Sequence, residues 1–490
     1  MVPLGSNAAA NSAAISDQFP AERPSCTRRQ RWAAMFFVVA FVPAGCASLP
    51  ARDAATSNPS TGRVTVLGAS GPLNAAQEAR ALRRVATEGA KDLLALHLQV
   101  LSTSGDVDLY RGNRTRLLVD GPATFGAMKT AIAQARGRVL LESYIVEDRG
   151  VAAEVAELLL QKAAAGVKVA LIYDAVGSIS TPDAFFKRLA DGGVAVCVFN
   201  PLSPTKRPGY GGLSKINHRD HRKLLVVDDE VAYTGGINVS RVYGSGSSSR
   251  RGAAAADALS DGWRDTQIEL RGPVVPALAQ VFAKTWHGQG CSGALGPPAA
   301  RTATAEPGQR IVKILASDPR DESNRIYTSL LAAVDQAQGS VRVTMAYFAP
   351  GPDFVQALCD AALRGVRVEL VLPGRSDSML VLHAGRSYYT RLLQAGVQIH
   401  EMEHALMHAK TAVIDGVFST VGSSNLDWRS FVDNNELNII VLGEDFGAEM
   451  AALFERDRAA SQPVTLQAWS QRGLKQRTME LLGRLAERWL

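Results

Sequence analysis

One spaced set of polar residues occurs twice in the chain, and this repetition is the strongest constraint on its fold. The pattern H-x-K-x-x-x-x-D begins at His221 and begins again at His408. Each copy continues, at the same distance, into a glycine-containing segment that ends in asparagine, GGIN in the first and GSSN in the second. Because five residue types recur at identical spacing, the sequence predicts an internal duplication.

Each copy of the pattern predicts a hairpin of two buried strands. The runs LLVV and TAVI are apolar and rich in branched residues, and a turn signal, DD or DG, separates each run from a second short apolar run. Alternate residues of a strand share a face, so His221 and Lys223 point the same way, as do their counterparts in the second copy. Asp228 and Asp415 have the opposite parity and lie at the turns, and we assign them a positioning role.

Two His-Lys pairs brought together would form a cationic pocket for an anionic phosphoryl group. An imidazole can act near neutral pH as nucleophile, general acid or general base. Lysine, asparagine amides and backbone N–H groups donate hydrogen bonds to phosphoryl oxygens. A zinc site is one alternative, but a lysine two residues from each histidine would repel the metal, and neither copy has a zincin spacing. Another alternative is that both histidines are ordinary core residues with satisfied hydrogen bonds. This alternative would have to explain the same spacing of polar residues twice. We therefore favour phosphoryl transfer without a metal ion or other cofactor.

The paired motifs resemble those of the phospholipase D superfamily. The segment HRKLLVVDDEVAYTGGIN and the later WRDTQIELRGP are most similar to its bacterial cardiolipin synthase branch. The resemblance covers about residues 95–460. It implies an α/β fold of two duplicated phospholipase D-like α-β-α sandwich lobes with the active site between them. Since one chain carries both motifs, a monomer is sufficient to build that site.

The resemblance also assigns roles to individual residues. In the family, acidic residues that follow the motifs hydrogen-bond and orient the catalytic imidazoles, and Asp265 and Glu436 occupy matched contexts here. A solvated acid at a strand end is the alternative, and it is weakened by its recurrence in both halves. The predicted catalytic residues are His221, Lys223, Asp228, His408, Lys410 and Asp415. The predicted phosphate-binding and supporting residues are Gly236, Asn238, Asp265, Ser423, Asn425 and Glu436.

The implied reaction is phosphatidyl transfer in two displacements. His221 attacks the phosphorus of an anionic phospholipid to give a phosphohistidine, while His408 protonates the departing alcohol and later deprotonates the incoming hydroxyl. The two histidines can exchange these roles. A second phosphatidylglycerol as acceptor gives cardiolipin, whereas water gives phosphatidic acid, as in a phospholipase D hydrolase.

Two other classes of protein compete with this interpretation. A nucleic-acid phosphodiesterase shares the chemistry, but an export signal and a lipid anchor make it the weaker choice, and no nucleic acid is required. A non-catalytic envelope lipoprotein would tolerate a decayed motif, and both motifs are complete. The net charge of +6 favours anionic partners in general, including phospholipid headgroups and a membrane surface.

The N-terminal segment has the features of an export leader. Three arginines within residues 28–31 precede the apolar run Trp32–Val42, which is shorter than the roughly 20 residues that span a bilayer. The following Ala-Gly-Cys resembles a bacterial lipoprotein signal, with Cys46 as the lipidated residue; a plain signal peptide is the alternative. We expect a protein of the bacterial cell envelope, membrane-associated, lipid-anchored and facing the periplasm.

The length and composition of the chain allow more than one domain, because 490 residues with 46% hydrophobic content can form more than one globular lobe. The predicted division is a leader at 1–46, a tether at 47–73, a first lobe at 74–287, a linker at 288–309, a second lobe at 310–463 and a C-terminal amphipathic helix at 464–490. The helical segment at 74–100 is expected to pack on the first lobe.

The cysteines and the C-terminus give further expectations. Five cysteines show no CxxC pair and no disulfide framework, and apolar surroundings predict that Cys197 and Cys359 are buried as small hydrophobic residues. Residues 474–490 place several leucines and Trp489 on one helical face, which either docks on its own domain, as we prefer, or lies on a membrane surface. Candidates for an acceptor site after the VLP strand are Ser376, Asp377, His383, Arg386 and Tyr388.

Overall fold

The computed structural model describes residues 49, 52, 62–103, 105–202, 217–247, 262–296, 307–319 and 324–490. The predicted leader with Cys46 lies outside the described residues. The strands are β1 (Val64–Gly68), β2 (Gly71–Pro72), β3 (Val107–Val119), β4 (Arg138–Ser143), β5 (Lys168–Asp174), β6 (Ala195–Phe199), β7 (Arg219–Asp220), β8 (Lys223–Val227), β9 (Val231–Gly235), β10 (Thr266–Arg271), β11 (Arg310–Ser317), β12 (Ser340–Met345), β13 (Phe348–Ala349), β14 (Arg367–Pro373), β15 (Gln398–Met402), β16 (Lys410–Ile414), β17 (Phe418–Gly422), β18 (Leu426–Asp427), β19 (Asn434–Leu442) and β20 (Gln462–Val464).

The α-helices within these ranges are α1 (Ala75–Arg83), α2 (Lys91–Ser102), α3 (Asp120–Gln134), α4 (Val151–Ala164), α5 (Asp183–Asp191), α6 (Val275–Gly288), α7 (Arg325–Asp335), α8 (Gly351–Leu363), α9 (Met379–Arg386), α10 (Tyr389–Gln394), α11 (Glu444–Ala459), α12 (Leu466–Ser470) and α13 (Leu474–Ala486). Short 3-10 turns and one π-helical turn at Arg429–Asp433 complete them. None of the helices in the described ranges is both long enough and apolar enough to cross a bilayer.

The first lobe is built on a mixed sheet with the strand order β3-β10-β9-β8-β4-β5-β6. The strands β4, β5 and β6 run parallel, with α4 and α5 as the intervening helices. The central strands are apolar at consecutive positions because both faces of the sheet are covered. Leu141 and Leu225 pack towards the side of α3, α4 and α5, whereas Leu140 and Leu224 pack towards α6.

The second lobe repeats this architecture strand for strand. Its sheet has the order β11-β19-β17-β16-β12-β14-β15, with β20 added at the edge. The helices α7, α8 and α10 cover one face, and α11 covers the other. One apolar cluster includes residues of both lobes, such as Trp286 on α6 and Phe446 on α11. The predicted fold of two duplicated α/β sandwich lobes is confirmed.

The segment before the first lobe packs differently from the expectation. The long strand β3 serves both sheets: its first half pairs with β1 and β11, and its second half pairs with β10. The preceding residues therefore join the second lobe, where Val66 and Leu94 lie in the same apolar cluster as Leu330. His97 on α2 contacts Asp415 of the second motif, Nε2 to Oδ2, at 3.0 Å. The prediction that residues 74–100 pack on the first lobe was thus wrong. The predicted tether at 47–73 also contains a strand, β1.

The expectation of unbridged cysteines was also wrong in one respect. Cys197 on β6 forms a disulfide with Cys291, which follows α6, and their Cα atoms are 5.6 Å apart. The two residues are 94 positions apart in sequence, so no local spacing pattern could predict the disulfide. The bridge ties the beginning of the predicted linker to the first lobe. Cys359, by contrast, is buried and free, as expected.

The C-terminal residues dock on the second lobe through one helical face. A Cβ atom added at Gly483 of α13 would lie 2.5 Å from the backbone nitrogen of Ala384 on α9, so glycine is required for this close approach. Tyr388 donates a hydrogen bond from its hydroxyl to the Glu487 carboxylate at 2.8 Å. The expected docking of the leucine face was wrong: Leu474, Leu481 and Leu485 remain 60–80% exposed, and the helix docks through the opposite side, which carries Gly483 and Glu480.

The disulfide yields a prediction about stability. Replacement of both Cys197 and Cys291 by alanine should lower the free energy of unfolding by about 2–4 kcal/mol, because the cross-link restricts a long loop of the unfolded chain. Urea unfolding of the oxidised protein measures this difference. Cys359→Ala is the control that removes a buried thiol without breaking a cross-link, and its loss should be smaller. Equal unfolding midpoints for the double variant and the unchanged protein would contradict the prediction.

Candidate active site

Both motifs form the predicted hairpins, β8 with β9 and β16 with β17. The turn residues of each hairpin adopt left-handed backbone angles: φ is +54° and +57° at Asp228 and Asp229, and +52° and +67° at Asp415 and Gly416. Two successive left-handed residues match the twist of antiparallel strands, and Asp, Asn and Gly adopt them at least cost.

The motif aspartates lie at the far end of their hairpins from the histidines. Asp228 accepts hydrogen bonds from the backbone N–H groups of Arg136, Gly137 and Arg138 at 2.7–2.8 Å. Asp415 accepts equivalent bonds from residues 338–340 at 2.7–3.1 Å. Since β8 separates Asp228 from Lys223, the distance is about 17 Å at 3.4 Å per residue. Both aspartates anchor loops at the turns, away from the histidines.

The two histidines are oriented by acids of the opposite lobe. His221 of the first lobe places Nδ1 2.9 Å from Oε1 and 3.1 Å from Oε2 of Glu436, which belongs to β19 of the second lobe. His408 of the second lobe places Nδ1 2.7 Å from Oδ2 of Asp265, which precedes β10 of the first lobe. The structure therefore brings together all four of these predicted residues, and it pairs them crosswise.

Backbone hydrogen bonds between the lobes fix both pairs. The His221 N–H donates to the carbonyl of Asn435 at 2.9 Å, and the His408 N–H donates to the carbonyl of Arg264 at 2.7 Å. In each case the accepting residue immediately precedes the orienting acid. Short parallel pairings accompany them, β7 with the start of β19 and Arg264 with Met407. Each histidine is thus aligned with its acid through the main chain as well as the side chain.

The arrangement defines the tautomer of both rings. Nδ1 of His408 is also 2.9 Å from the Tyr243 hydroxyl and 2.9 Å from Nζ of Lys410. A ring nitrogen has a single in-plane bonding direction, and the carboxylate of Asp265 is the strongest acceptor near it, so Nδ1–H donates to Asp265. Nε2 then carries a lone pair. No hydrogen bond to Nε2 of His221 or His408 is found among the residues that the structure describes.

Burial favours the neutral form of both imidazoles. It lowers the pKa of His221 to about 4, assisted by Lys223 and opposed by Glu436. Burial, together with the charge of Lys410, also lowers the pKa of His408. For Glu436, burial opposes ionisation, but His221, Lys223 and Ser423 outweigh it and lower its pKa to about 2. An ionised acid thus holds a neutral His221 whose Nε2 is available as a nucleophile.

The two lysines supply positive charge to the site, and their burial lowers their own pKa values. Burial lowers the pKa of Lys223 to about 7 and that of Lys410 to about 8. The charge of Lys410 also lowers the pKa values of Lys223 and His221. These mutual effects place the residues of both lobes in one electrostatic environment. Each ammonium donates a hydrogen bond to the carbonyl of the histidine two residues before it.

The predicted supporting residues contact the orienting acids in two different ways. A Cβ atom at Gly236 would lie 2.1 Å from Oδ1 of Asp265, so only glycine leaves room for that carboxylate. At the matching position, the Ser423 hydroxyl donates to Glu436 and accepts from the Leu437 N–H at 2.9 Å. Asn238 and Asn425 are both buried, and the Asn238 carbonyl oxygen accepts from the Ile145 N–H at 3.2 Å.

Comparison with known proteins identifies the family of this chain. A family model described as "Cardiolipin synthase, PLD-like domain" matches residues 128–243 and 330–458, which include both motifs. The chain belongs to this family. The resemblance to the phospholipase D superfamily is confirmed, and the protein is an enzyme of that superfamily.

Curated relatives and a solved structure extend the comparison. Cardiolipin synthase A of Pseudomonas aeruginosa is 34% identical over 391 residues, which is 79% of this chain and 74% of that protein. Cardiolipin synthase of Geobacillus sp. is 31% identical over 389 residues, with the same shares of 79% and 74%. The crystal structure of phosphatidylserine synthase from Haemophilus influenzae matches with a TM-score of 0.56 at 12% identity, over 77% of this chain and 95% of that one. This last likeness concerns the fold alone.

In this member of the family, aromatic residues that sequence reasoning missed surround the histidines. The ring centroid of Tyr144 lies 5.1 Å from that of His221, and the centroid of Trp263 lies 5.2 Å from that of His408. Tyr243 is fully buried beside His408. A signal existed for Tyr144 and Tyr347, because each closely follows the first strand of the βαβ unit in its lobe, β4 or β12, which pairs with the motif strand β8 or β16.

Among the acceptor-site candidates, only Asp377 connects with the reacting groups. Tyr347 donates to Asp377 at 2.7 Å, and the Asp377 charge acts to raise the pKa of His408. Arg386 instead pairs with Glu401 at 2.9 Å, and Tyr388 binds the C-terminal segment, so both serve the packing of the lobe. Asp427 was not foreseen; burial raises its pKa to about 7, and its charge acts on Lys410.

The crossed pairs predict the effect of neutralising the acids. Glu436→Gln and Asp265→Asn should each lower kcat by about 10²- to 10⁴-fold, because an amide no longer holds the ring in the reactive tautomer or stabilises its protonated form. The shared fold should survive, as judged by thermal unfolding. Glu449→Gln, a partly exposed position on α11, removes the same charge as a control. Unchanged kcat in either acid variant would contradict the orienting role.

Proposed function

We propose that this chain is a cardiolipin synthase, which transfers a phosphatidyl group from one phosphatidylglycerol to another through a phosphohistidine. The observation that carries the proposal is the pair of buried imidazoles, each held at Nδ1 by an ionisable acid of the opposite lobe. The family and its curated relatives support phospholipid transfer of this kind. Phosphatidylglycerol as donor and acceptor, and the covalent intermediate, are parts of the proposal.

In the first displacement, Nε2 of His221 attacks the phosphorus and the bond to the glycerol oxygen breaks. His408 gives its proton to that oxygen, and glycerol leaves. The lowered pKa of His221 keeps it unprotonated for attack. His408 acquires its proton when the anionic phosphodiester binds, because an added negative charge raises the pKa of a nearby imidazole. The charge of Asp377, which acts on His408, favours this division of roles.

In the second displacement, neutral His408 takes the proton from the hydroxyl of an incoming phosphatidylglycerol. The hydroxyl oxygen forms a bond to phosphorus, and the bond from phosphorus to His221 breaks. Lys223 and Lys410 neutralise the phosphoryl oxygens in both steps, and Asn238 and Asn425 are proposed to donate to them. The site then returns to its starting protonation state. Water as the acceptor would give phosphatidic acid by the same steps.

The proposed location is the bacterial cell envelope, with the active site facing the periplasm. The disulfide between Cys197 and Cys291 suits an oxidising compartment, because thiols are kept reduced in the cytosol. The predicted leader and the lipid anchor at Cys46 suit the same location. Membrane attachment is also required by the substrate, which resides in a bilayer.

Lipid analysis by mass spectrometry tests the proposed function. The purified protein is incubated with phosphatidylglycerol vesicles, and His221→Ala and His408→Ala are compared with the unchanged chain. Cardiolipin and free glycerol should form only with the unchanged chain, and each variant should lose at least about 10³-fold in turnover.

His287→Ala, at an exposed position on α6, is the matched control and should retain full activity. Near-normal turnover in either catalytic variant would contradict the mechanism. Phosphatidic acid without cardiolipin would identify a hydrolase, and unchanged lipid would direct the search to nucleic-acid phosphodiesters.

A further inference from the structure

The last 25 residues of the chain concentrate its exposed apolar side chains. Ten large hydrophobic residues are exposed in the part of the chain that the structure describes, and six of them fall within residues 466–490. We call these six the C-terminal patch: Leu466, Leu474, Leu481, Leu482, Leu485 and Trp489. Leu474 is 80% exposed and Leu485 is 65% exposed. Contiguous exposed apolar surface on a folded protein usually marks an interaction site.

The exposure is a consequence of how α13 is fixed. Its inner face is held by Gly483 against α9 and by Glu480, which is buried and paired with Arg472 at 3.0 Å. Glu487 accepts hydrogen bonds from Tyr388 and from the Gly351 N–H. The helix therefore cannot turn its leucines inward without breaking these contacts. The four leucines of the patch that belong to α13 are 49–80% exposed.

The charges around the patch are positive. Residues 466–490 contain five basic side chains and two acidic ones, and both acidic side chains, Glu480 and Glu487, are turned inward. Arg484 lies over the ring of Tyr388, 4.3 Å from its centroid. A groove of about 860 Å³ between α10, α12 and α13 has Leu466 and Leu481 among its apolar residues and arginines at its rim.

The patch is connected to the His408 side of the active site through consecutive elements. The helix α9, on which α13 packs, begins two residues after Asp377, and Asp377 binds Tyr347 beside His408. Met379, at the start of α9, is 53% exposed. A surface that covers α13 and the start of α9 is thus connected to the His408 side of the site by a few residues.

We propose that the C-terminal patch, with Met379, docks on the surface of an anionic phospholipid bilayer. Apolar side chains beside a basic rim match the acyl boundary and the anionic headgroups of such a surface. A second copy of the chain would place two basic rims against each other, which disfavours that occupant. The proposal goes beyond the proposed function, because it assigns the surface that meets the membrane and the direction from which lipid reaches the site.

A local probe tests the docking independently of catalysis. Leu481→Cys and Leu363→Cys each introduce one thiol at an exposed leucine, Leu363 lying outside the patch on α8. Both full-length variants also carry Cys26→Ser and Cys46→Ser, so the label attaches at the new site and no lipid anchors the chain. A polarity-sensitive fluorophore at each thiol is followed on addition of phosphatidylcholine vesicles with or without phosphatidylglycerol.

The label at 481 should shift to shorter emission wavelengths with phosphatidylglycerol vesicles, and brominated acyl chains should quench it. Phosphatidylcholine alone or high salt should weaken the effect, and the label at 363 should not respond. An unchanged emission at 481 would overturn the proposal. A shift without vesicles that grows with protein concentration would also overturn it, in favour of a second copy.

A functional variant separates docking from chemistry. Leu481→Asp with Leu485→Asp should lower turnover of vesicle phosphatidylglycerol by at least tenfold and leave turnover of a short-chain, monomeric phosphatidylglycerol unchanged. Leu363→Asp is the control and should affect neither. Equal losses on both substrates would overturn the docking role. If the unchanged protein acts on neither substrate, the proposed function fails, and the fluorescence result still decides the docking.

Discussion

The structure depends on hydrogen bonds that cross from one lobe to the other. His221 receives its orientation from Glu436, and His408 receives its orientation from Asp265, so neither lobe contains a complete reactive pair. The backbone bonds from each histidine to the residue before its acid keep the lobes in register. The same contact that assembles the reactive groups also buries them, and burial is the main cause of the lowered pKa values of both histidines. Assembly of the lobes and activation of the imidazoles are therefore one physical event.

Duplication supplies two similar sets of residues, and small differences between them allow different roles. Gly236 beside Asp265 is replaced in the second lobe by Ser423, whose hydroxyl donates to Glu436. Tyr243 lies at hydrogen-bonding distance from Nδ1 of His408, and Asp377 acts electrostatically on the same ring. Since an additional negative charge favours the protonated imidazole, the surroundings of His408 suit an acid better than those of His221 do.

Much of the fold was predictable because its determinants are local. The hairpins at His221 and His408 follow from apolar runs and turn residues, and the repeated order of elements follows from the duplication. The acids were identified from matched sequence contexts, but the crosswise pairing was not, because it depends on how two lobes meet. Long-range contacts account for the other errors: β3 carries the N-terminal segment to the second lobe, and the disulfide joins Cys197 to Cys291 across 94 residues. Apart from Tyr144 and Tyr347, the aromatic residues around the histidines carry no spacing rule that distinguishes them from core residues.

The most direct test of the central claim is to trap the covalent intermediate. The His408→Ala variant is mixed with a phosphatidyl ester of p-nitrophenol, whose leaving group departs as the phenolate without an acid, whereas release of the intermediate still needs the missing base. The account predicts a burst of about one equivalent of nitrophenolate and, by mass spectrometry, a phosphatidyl adduct on the peptide that contains His221. Multiple turnovers without an adduct, or an adduct on a residue other than His221, would contradict it.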